Sequence, residues 1–352
     1  SRYKLHHRYP KVFDEKIREN IKALENSWTK KEKEITGRER VYRFNPTVED
    51  IKNGALPLLV SVRSGSILKM PGILPTVLNV GFCDYMAQAL FKRFPKRFIY
   101  DTHSRFLESY GVCVYGISKE VFDKVILEHG KESGVNERRA MNAGELRELC
   151  AVFKDAIISE LKRMNHDPQE LEMDLADPYR QLDKAIKAVF DSWEREEARQ
   201  SRKIHDIADS FDPPVTVQAM VYGTLGNNSG AGVITSHDSF GKEILEGEYS
   251  FNIQGVDIVD GFIRPQDIKI LEQKAPKIFS RLSQWARRLR LEYGNPQEIE
   301  FTIQNGWPWF LQTSRAVSIE AGNWKQLNTQ GLLPVAKGRG VYGGGYRGMA
   351  VF

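Results

Sequence analysis

Glu298 and Glu300 stand two residues apart in the run Gln297-Glu298-Ile299-Glu300-Phe301-Thr302-Ile303, which alternates polar and apolar side chains as a strand does. Asn305-Gly306 makes a tight turn, and Trp307-Pro308-Trp309-Phe310-Leu311-Gln312-Thr313 returns as the second strand of a hairpin. The spacing puts both carboxylates on one exposed strand face, with Ile299 and Phe301 toward the core. Gln312 comes back across the turn and can bring its amide oxygen into the same space. An oxygen-only set of this kind suits Mg²⁺ bridging phosphates, and a metal would relieve the repulsion between crowded carboxylates. A solvated strand face with a basic neighbour is the other reading.

A second stretch bears on phosphate. Val217-Gln218-Ala219-Met220-Val221-Tyr222 feeds Gly223-Thr224-Leu225-Gly226-Asn227-Asn228-Ser229-Gly230-Ala231-Gly232-Val233, and another strand-like run follows from Phe251 to Val259. Four glycines in the ten residues 223–232 allow successive backbone N–H groups to turn toward an anion with no Cβ in the way. An ordinary hairpin with a glycine-rich loop reads the same. No Gly-Lys-Ser/Thr follows, which excludes a Walker A loop, and Thr235 stands where a dinucleotide fingerprint would need a third glycine. Arg63, at the end of the strand Leu58–Arg63 opened by Pro57, precedes Ser64-Gly65-Ser66 and Met70-Pro71-Gly72, as expected of a phosphate ligand at a strand's carboxyl end or of an arginine capping a turn. Arg105 lies among apolar neighbours and needs an anionic partner, in a salt bridge or a ligand.

The elements that must hold these residues follow from periodicity. Residues 11–36 carry Val12, Phe13, Ile17, Ile21, Leu24 and Trp28 at helical spacing, and Val48–Gly54 forms a short helix. From Thr76 to Tyr115 short helices alternate with loops, with Phe98–Tyr110 a helix bearing aromatic residues on its inner face and His103 a solvated position. Residues 118–165 and 168–206 are helical, with core stripes such as Leu146, Leu149, Phe153, Ile157 and Leu161. Asp212-Pro213-Pro214 marks the change to a β-rich second half, in which Ile268–Leu291 is one amphipathic helix with a basic, solvated face.

Composition bounds the partners. The 352 residues suffice for about two domains, and 41% hydrophobic with 28% charged residues is globular, with no apolar run near the ~20 residues that span a bilayer. A net charge of +5 spread along the chain gives nucleic acid little support as a partner. Cys83, Cys113 and Cys150, odd in number and far apart, argue against a disulfide framework or zinc and for a reducing, cytoplasmic setting. The charged first residues read as lacking a signal peptide.

Taken in order, Ser61-Val62-Arg63-Ser64-Gly65, Met70-Pro71-Gly72 with Thr76-Val77-Leu78-Asn79, Val217–Val221, Gly230–Val233, Asn252–Asp257, and Glu298–Thr302 with Leu311-Gln312-Thr313 resemble the nucleotide-binding domain of pyruvate, phosphate dikinases and the related phosphoenolpyruvate synthases. The resemblance implies an α+β chain with an ATP-grasp fold of two lobes and an inserted helical subdomain: 1–116 as the first lobe, 117–206 helical, 207–330 as the second lobe, and 331–352 as linker and start of a swivelling phosphohistidine domain. It implies ATP and Mg²⁺ as cofactors, and phosphate passing from ATP to a histidine on the swivelling domain, downstream or on a partner, and then to pyruvate. Homodimer formation is compatible with it, and no membrane is implied. By position, Arg63 and Arg105 would contact phosphates, Gly223, Gly226, Gly230 and Gly232 would close over them, and Gln218 and Met220 would border the adenine. Gln254 and Asp257 would lie beside the nucleotide, and Glu300 and Gln312 would hold Mg²⁺ with Glu298 supporting.

The departures are specific. The family's glycine-rich segment with its ATP-binding lysine would precede Ser1. Its Gln-Gly-Glu-Asp reads Gln254-Gly255-Val256-Asp257, its Thr-Arg-Asn-Pro reads Ser236-His237-Asp238-Ser239, and the arginine expected two after Gln312 is Ser314. Alternatives to the dikinase half are therefore an ATP-binding subunit of a split synthase with another acceptor, and a degenerate nucleotide-sensing module.

Overall fold

The computed structural model describes residues 10–65, 74–131, 134–135, 137–204, 207, 214–237, 243–259, 264–316, 336–337 and 349–350. Met70-Pro71-Gly72, Asp238-Ser239 and most of the glycine-dense stretch after Gly338 lie outside them. The chain is mixed α/β and divides into two compact units, Ser1–Met220 and Val221–Phe352.

In the first unit α1 (Pro10–Thr36) covers β1 (Tyr42–Arg43), paired in parallel with β2 (Leu56–Pro57). One helix face does the packing: Ile21 is buried, and buried Glu25 accepts the Phe44 N–H at 2.7 Å. The short α2 (Val48–Lys52) starts at Thr47, which forms a capping box with Asp50. β3 (Val60–Ser64) lies between β4 (Thr76–Val80) and β5 (Val215–Ala219), antiparallel to both. Val60, Val62, Val77 and Val80 are fully buried, as β-branched residues suit a covered strand. The expectation of short helices and loops from Thr76 onward is corrected: Thr76–Val80 is a strand, and after α3 (Asp84–Leu90) comes one long helix, α4 (Lys96–Val114).

α4 is buried on nearly every side, because β4 packs on one flank and α6 (Ala143–Arg163) on another. His103 is therefore inside, 4% exposed, stacked on Phe82 at 4.6 Å between ring centroids and 3.2 Å from Asp84 Oδ1. This corrects the solvated assignment: amphipathic spacing marks one inner face, but a helix wrapped by several elements has no outer one. α5 (Lys119–Lys131) packs on α6 through Phe122 against Phe153, and α6 opens on an Asn142–Glu145 capping box.

α7 (Gln169–Ala176), α8 (Pro178–Ser192) and α9 (Glu196–Ile204) follow. Two buried polar side chains tie these helices down, Asp174 to α4 and Gln181 to the end of β4. Asp174 accepts from Tyr110 at 3.0 Å and Lys184 at 2.9 Å, and also from Tyr115 and Arg180. Gln181 accepts the Gly81 N–H at 2.7 Å and donates to the Phe82 and Asp174 carbonyls. A buried polar group without such partners would cost ~1–3 kcal/mol. Asp174 therefore fixes α7 and α8 against α4, and Gln181 fixes α8 against the chain leaving β4.

The second unit is built on a five-stranded sheet in the order β10-β9-β6-β7-β8. Its strands are β6 (Gly230–Thr235), β7 (Glu246–Phe251), β8 (Gln266–Asp267), β9 (Gln297–Gln304) and β10 (Trp307–Arg315), every neighbouring pair antiparallel. The strand-like reading of Phe251–Val259 is corrected: the strand is β7, and α10 (Gly255–Val259) follows it. α10 forms because Asp257 Oδ2 accepts the Gln254 N–H at 2.9 Å at the helix start, while Ile258 packs with Ile253 on Ala231.

The helix expected over 268–291 is two, α11 (Ile268–Lys274) and α12 (Pro276–Tyr293), since Pro276 cannot continue a helix. Gly294 ends α12 in the left-handed conformation. Both helices lie on one sheet face, where Ile268, Leu271, Leu282 and Ala286 pack against Ile234, Tyr249, Ile299, Phe301 and Ile303. Among the described residues no helix is long and apolar enough to cross a membrane.

Candidate functional site

In the second unit the hairpin β9–β10 supplies the oxygen set. Gln304 opposes Trp307 and Phe301 opposes Phe310, after which the register shifts so that Glu300 opposes Gln312 and Glu298 opposes Ser314. Leu311 is the extra residue of a β-bulge. An unbroken register would have set Gln312 against Ile299, on the face that α11 and α12 cover. The bulge moves it to the opposite face, directly across from Glu300, where paired residues have Cβ atoms about 5 Å apart. Glu300 and Gln312 are half-buried.

Glu298 shares that face but is only 4% exposed, which corrects the picture of two exposed carboxylates. β9 is an inner strand, flanked by β10 and β6, and the buried Glu298 carboxylate has interaction partners there. The rows continue onto β6 and β7: Glu300 opposes Val233, which opposes Glu248, and Glu298 opposes Thr235, which opposes Glu246. Glu248 thus brings another carboxylate to this face, two strands or about 10 Å from Glu300. Sequence reading missed it although the signal was present, in the alternation of Glu246, Glu248 and Ser250 with Gly247, Tyr249 and Phe251. Among the described residues no group of three or more His, Cys, Asp or Glu side chains is placed to hold a metal ion.

The four glycines separate into two kinds. A Cβ at Gly223 would lie 1.9 Å from the Ile253 carbonyl, at Gly230 2.3 Å from that of Ser250, and at Gly232 2.5 Å from both the Glu248 carbonyl and the Phe301 ring. Gly230 and Gly232 belong to β6, so these three let strands and side chains approach closely. Gly226 alone of the four sits at φ +121° with nothing within 4 Å of its Cβ position. The loop is therefore residues 223–229.

That loop is held at both ends. Gln254 Oε1 accepts the Gly223 N–H at 3.0 Å and its Nε2 donates to the Val221 carbonyl at 2.9 Å. Gln304 Oε1 accepts from Tyr222 N–H at 2.8 Å, the Ser229 hydroxyl accepts from Asn305 N–H at 3.0 Å, and the Asn228 carbonyl accepts from Gly306 N–H at 2.8 Å. Gln254 and Asp257 thus build the base of the loop with their side chains. The turn Asn305-Gly306, both at positive φ, holds the loop at one end of the hairpin that carries Glu300 and Gln312.

In the first unit, Arg63 is half-buried near the end of β3, opposite Thr76 and Thr216. Arg105 is 6% exposed, and its Nε donates to Asp101 Oδ2 at 3.0 Å within α4. Gln218 opposes Ser61 on β5, and buried Met220 donates its N–H to the Leu59 carbonyl at 2.9 Å. Cys83, Cys113 and Cys150 are buried thiols, each pushed up to about 12 chiefly by burial, and so are not nucleophiles.

In the second unit, His237 Nδ1 lies 3.0 Å from the Ser236 hydroxyl, which accepts the Gln297 N–H at 2.9 Å.

No protein-family model matches the chain. Curated relatives do. Chloroplastic pyruvate, phosphate dikinase 1 of Zea mays is 38% identical over 258 residues, covering 73% of this chain and 26% of the relative. Pyruvate, phosphate dikinase of Clostridium symbiosum is 38% identical over 259 residues (73% and 29%), and that of Rickettsia felis 37% over 267 residues (74% and 29%). The chain thus spans under a third of the length of the relatives it matches. By that similarity over about three quarters of its residues, the chain belongs to the pyruvate, phosphate dikinase family, as a counterpart of part of those enzymes.

Proposed function

We propose that this chain is the ATP-binding, Mg²⁺-dependent phosphotransfer part of a pyruvate, phosphate dikinase-like enzyme, with two lobes of an ATP-grasp fold. In this reading phosphate passes from ATP to a histidine on a separate swivelling domain, and from there to pyruvate. The observation that carries it is the bulge at Leu311, which sets Gln312 across from Glu300 on the sheet face away from α11 and α12. A bulge that moves a polar residue off a core face serves a site better than it serves packing. The donor chemistry fits Mg²⁺: hard oxygens, one charged and one neutral, with Glu298 behind them. Bound there, the ion would offset charge on the phosphate oxygens. Arg63 and Arg105 would neutralise the phosphate chain, the amides of loop 223–229 would lie against it, and Gln218 and Met220 would border the base.

The test is isothermal titration of the whole chain with a non-hydrolysable ATP analogue, with and without Mg²⁺. Metal-dependent binding is expected, with Arg63→Ala and Glu300→Ala each weakening it about 10–100-fold, as loss of one charge-assisted contact does. Unchanged affinity in both variants overturns the site.

A second reading, a nucleotide sensor that binds without transfer, is favoured by Val256 where the family carries a carboxylate. Labelled ATP separates the two, since only the first reading passes label to an added histidine domain.

A further inference from the structure

Asp101, Arg105 and Glu108 follow one another at four and three residues along α4 and so line one side of it. Arg105 Nε donates to Asp101 Oδ2 at 3.0 Å, and both side chains are buried. One turn on, Glu108 receives the guanidinium of Arg138, which enters from the 3₁₀ turn Arg138–Ala140. Both groups are shielded, with side chains 12% and 17% exposed. The turn is itself fastened to α4, since Arg97 Nε donates to the Met141 carbonyl at 3.0 Å and its Nη2 to those of Arg138 and Arg139. The Arg138 guanidinium also lies 5.7 Å from the centroid of the Phe153 ring.

Glu108 lies in the field of both arginines. Burial pushes its carboxyl up, but Arg138, and after it Arg105 and Lys119, more than offset this and leave it below the usual carboxylate range. Charge therefore alternates along α4 through Asp101, Arg105 and Glu108, and Arg138 meets Glu108 from the neighbouring turn. Arg138 is the ion-pair partner of Glu108, and without it Arg105 lies between two carboxylates in a poorly solvated place where electrostatic attraction is felt strongly.

We propose that Arg138 is a positioning residue for the anion site at Arg105: by pairing with Glu108 it keeps that second carboxylate from competing with the phosphate chain of a nucleotide for the Arg105 guanidinium, which Asp101 holds in place. This rests on the reading of Arg105 as a phosphate contact. Arg138 itself touches no ligand in this scheme.

The experiment is calorimetric titration of the whole chain with the Mg²⁺ complex of the non-hydrolysable ATP analogue, alongside thermal melting of every variant. The wild type binds and Arg105→Ala loses affinity if the underlying reading holds. Arg138→Gln is then expected to weaken binding about tenfold, the size of one lost charge interaction of ~1.4 kcal/mol, and Arg138→Lys to restore most of it. The decisive comparison is Glu108→Gln against Glu108→Gln/Arg138→Gln. With residue 108 uncharged, position 138 should cease to matter, and the two should agree within about threefold as uncoupled changes do. That comparison holds even where Arg138→Gln alone folds poorly. Wild-type affinity in Arg138→Gln, or a double variant as weak as Arg138→Gln, overturns the proposal while leaving Arg105 in place. Absence of binding by the wild type overturns the reading beneath it.

Discussion

Gly226 and Gly232, six residues apart, do opposite jobs. A methyl at Gly232 would meet the Glu248 carbonyl and the Phe301 ring at 2.5 Å, so Gly232→Ala should destabilise the chain by about 1–3 kcal/mol and lower its melting temperature by several degrees. At Gly226 the space is open, and only the φ of +121° resists a side chain. Gly226→Ala should leave the melt closer to wild type, at a cost of about 1 kcal/mol, and show its larger effect on nucleotide affinity. A melt for Gly232→Ala within a degree of wild type would remove the packing role. The glycine density was legible in the sequence; which glycine serves the loop was not, because the deciding atoms come from residues 248 and 301. Glu298 gives the same lesson, since a spacing of two assigns a face but cannot say how deeply that face is covered.

At the scale of elements, the hairpin β9–β10 was readable from alternation and Asn305-Gly306, and the chain folds there as expected. The bulge was not readable, since Leu311 looks like any other strand residue. Deleting Leu311 removes the extra residue, so unbroken pairing from Phe310 onward still sets Gln312 against Glu300. The Mg²⁺ dependence of binding should then stay near that of the wild type, whereas Gln312→Ala should lose it, and wild-type dependence in Gln312→Ala would sink the assignment. α4 carries a second prediction. Burial pushes the His103 imidazole down despite Asp84 beside it, and Lys154 adds repulsion. The unfolded chain takes up that proton more readily, so the stabilisation from a neutral His103 is complete above its unfolded value of 6.5 and is lost as pH falls below it. Burial raises the Asp84 carboxyl, but His103 and Lys154 hold it at about 2, so its contribution is lost only below 3.8. Melting temperature should therefore drop between pH 7 and 5, as measured by calorimetry, and His103→Gln should flatten that drop.

At the scale of the whole molecule, the chain matches 26–30% of the length of its relatives, and full transfer to pyruvate is a proposal about a larger assembly. Incubation with ATP labelled in the transferable phosphate should leave label on protein only after a histidine domain from a relative is added. Label retained on this chain by itself would point instead to an acceptor such as His237. The division into units at Met220 and Val221 falls where a strand of the first unit runs into the glycine loop of the second. The sequence by itself determined the family, the hairpin, the helical stripes of α6 and the residue types of the oxygen set, because these depend on local spacing and on motifs in order. Only the tertiary structure decided that His103 is buried, that three of four glycines serve packing, that Glu248 shares the face of Glu300, and that Gln312 reaches that face through a bulge. Each of these is settled by an atom distant in the chain, and contact across such distances is set by packing and register, which periodicity along one segment does not encode.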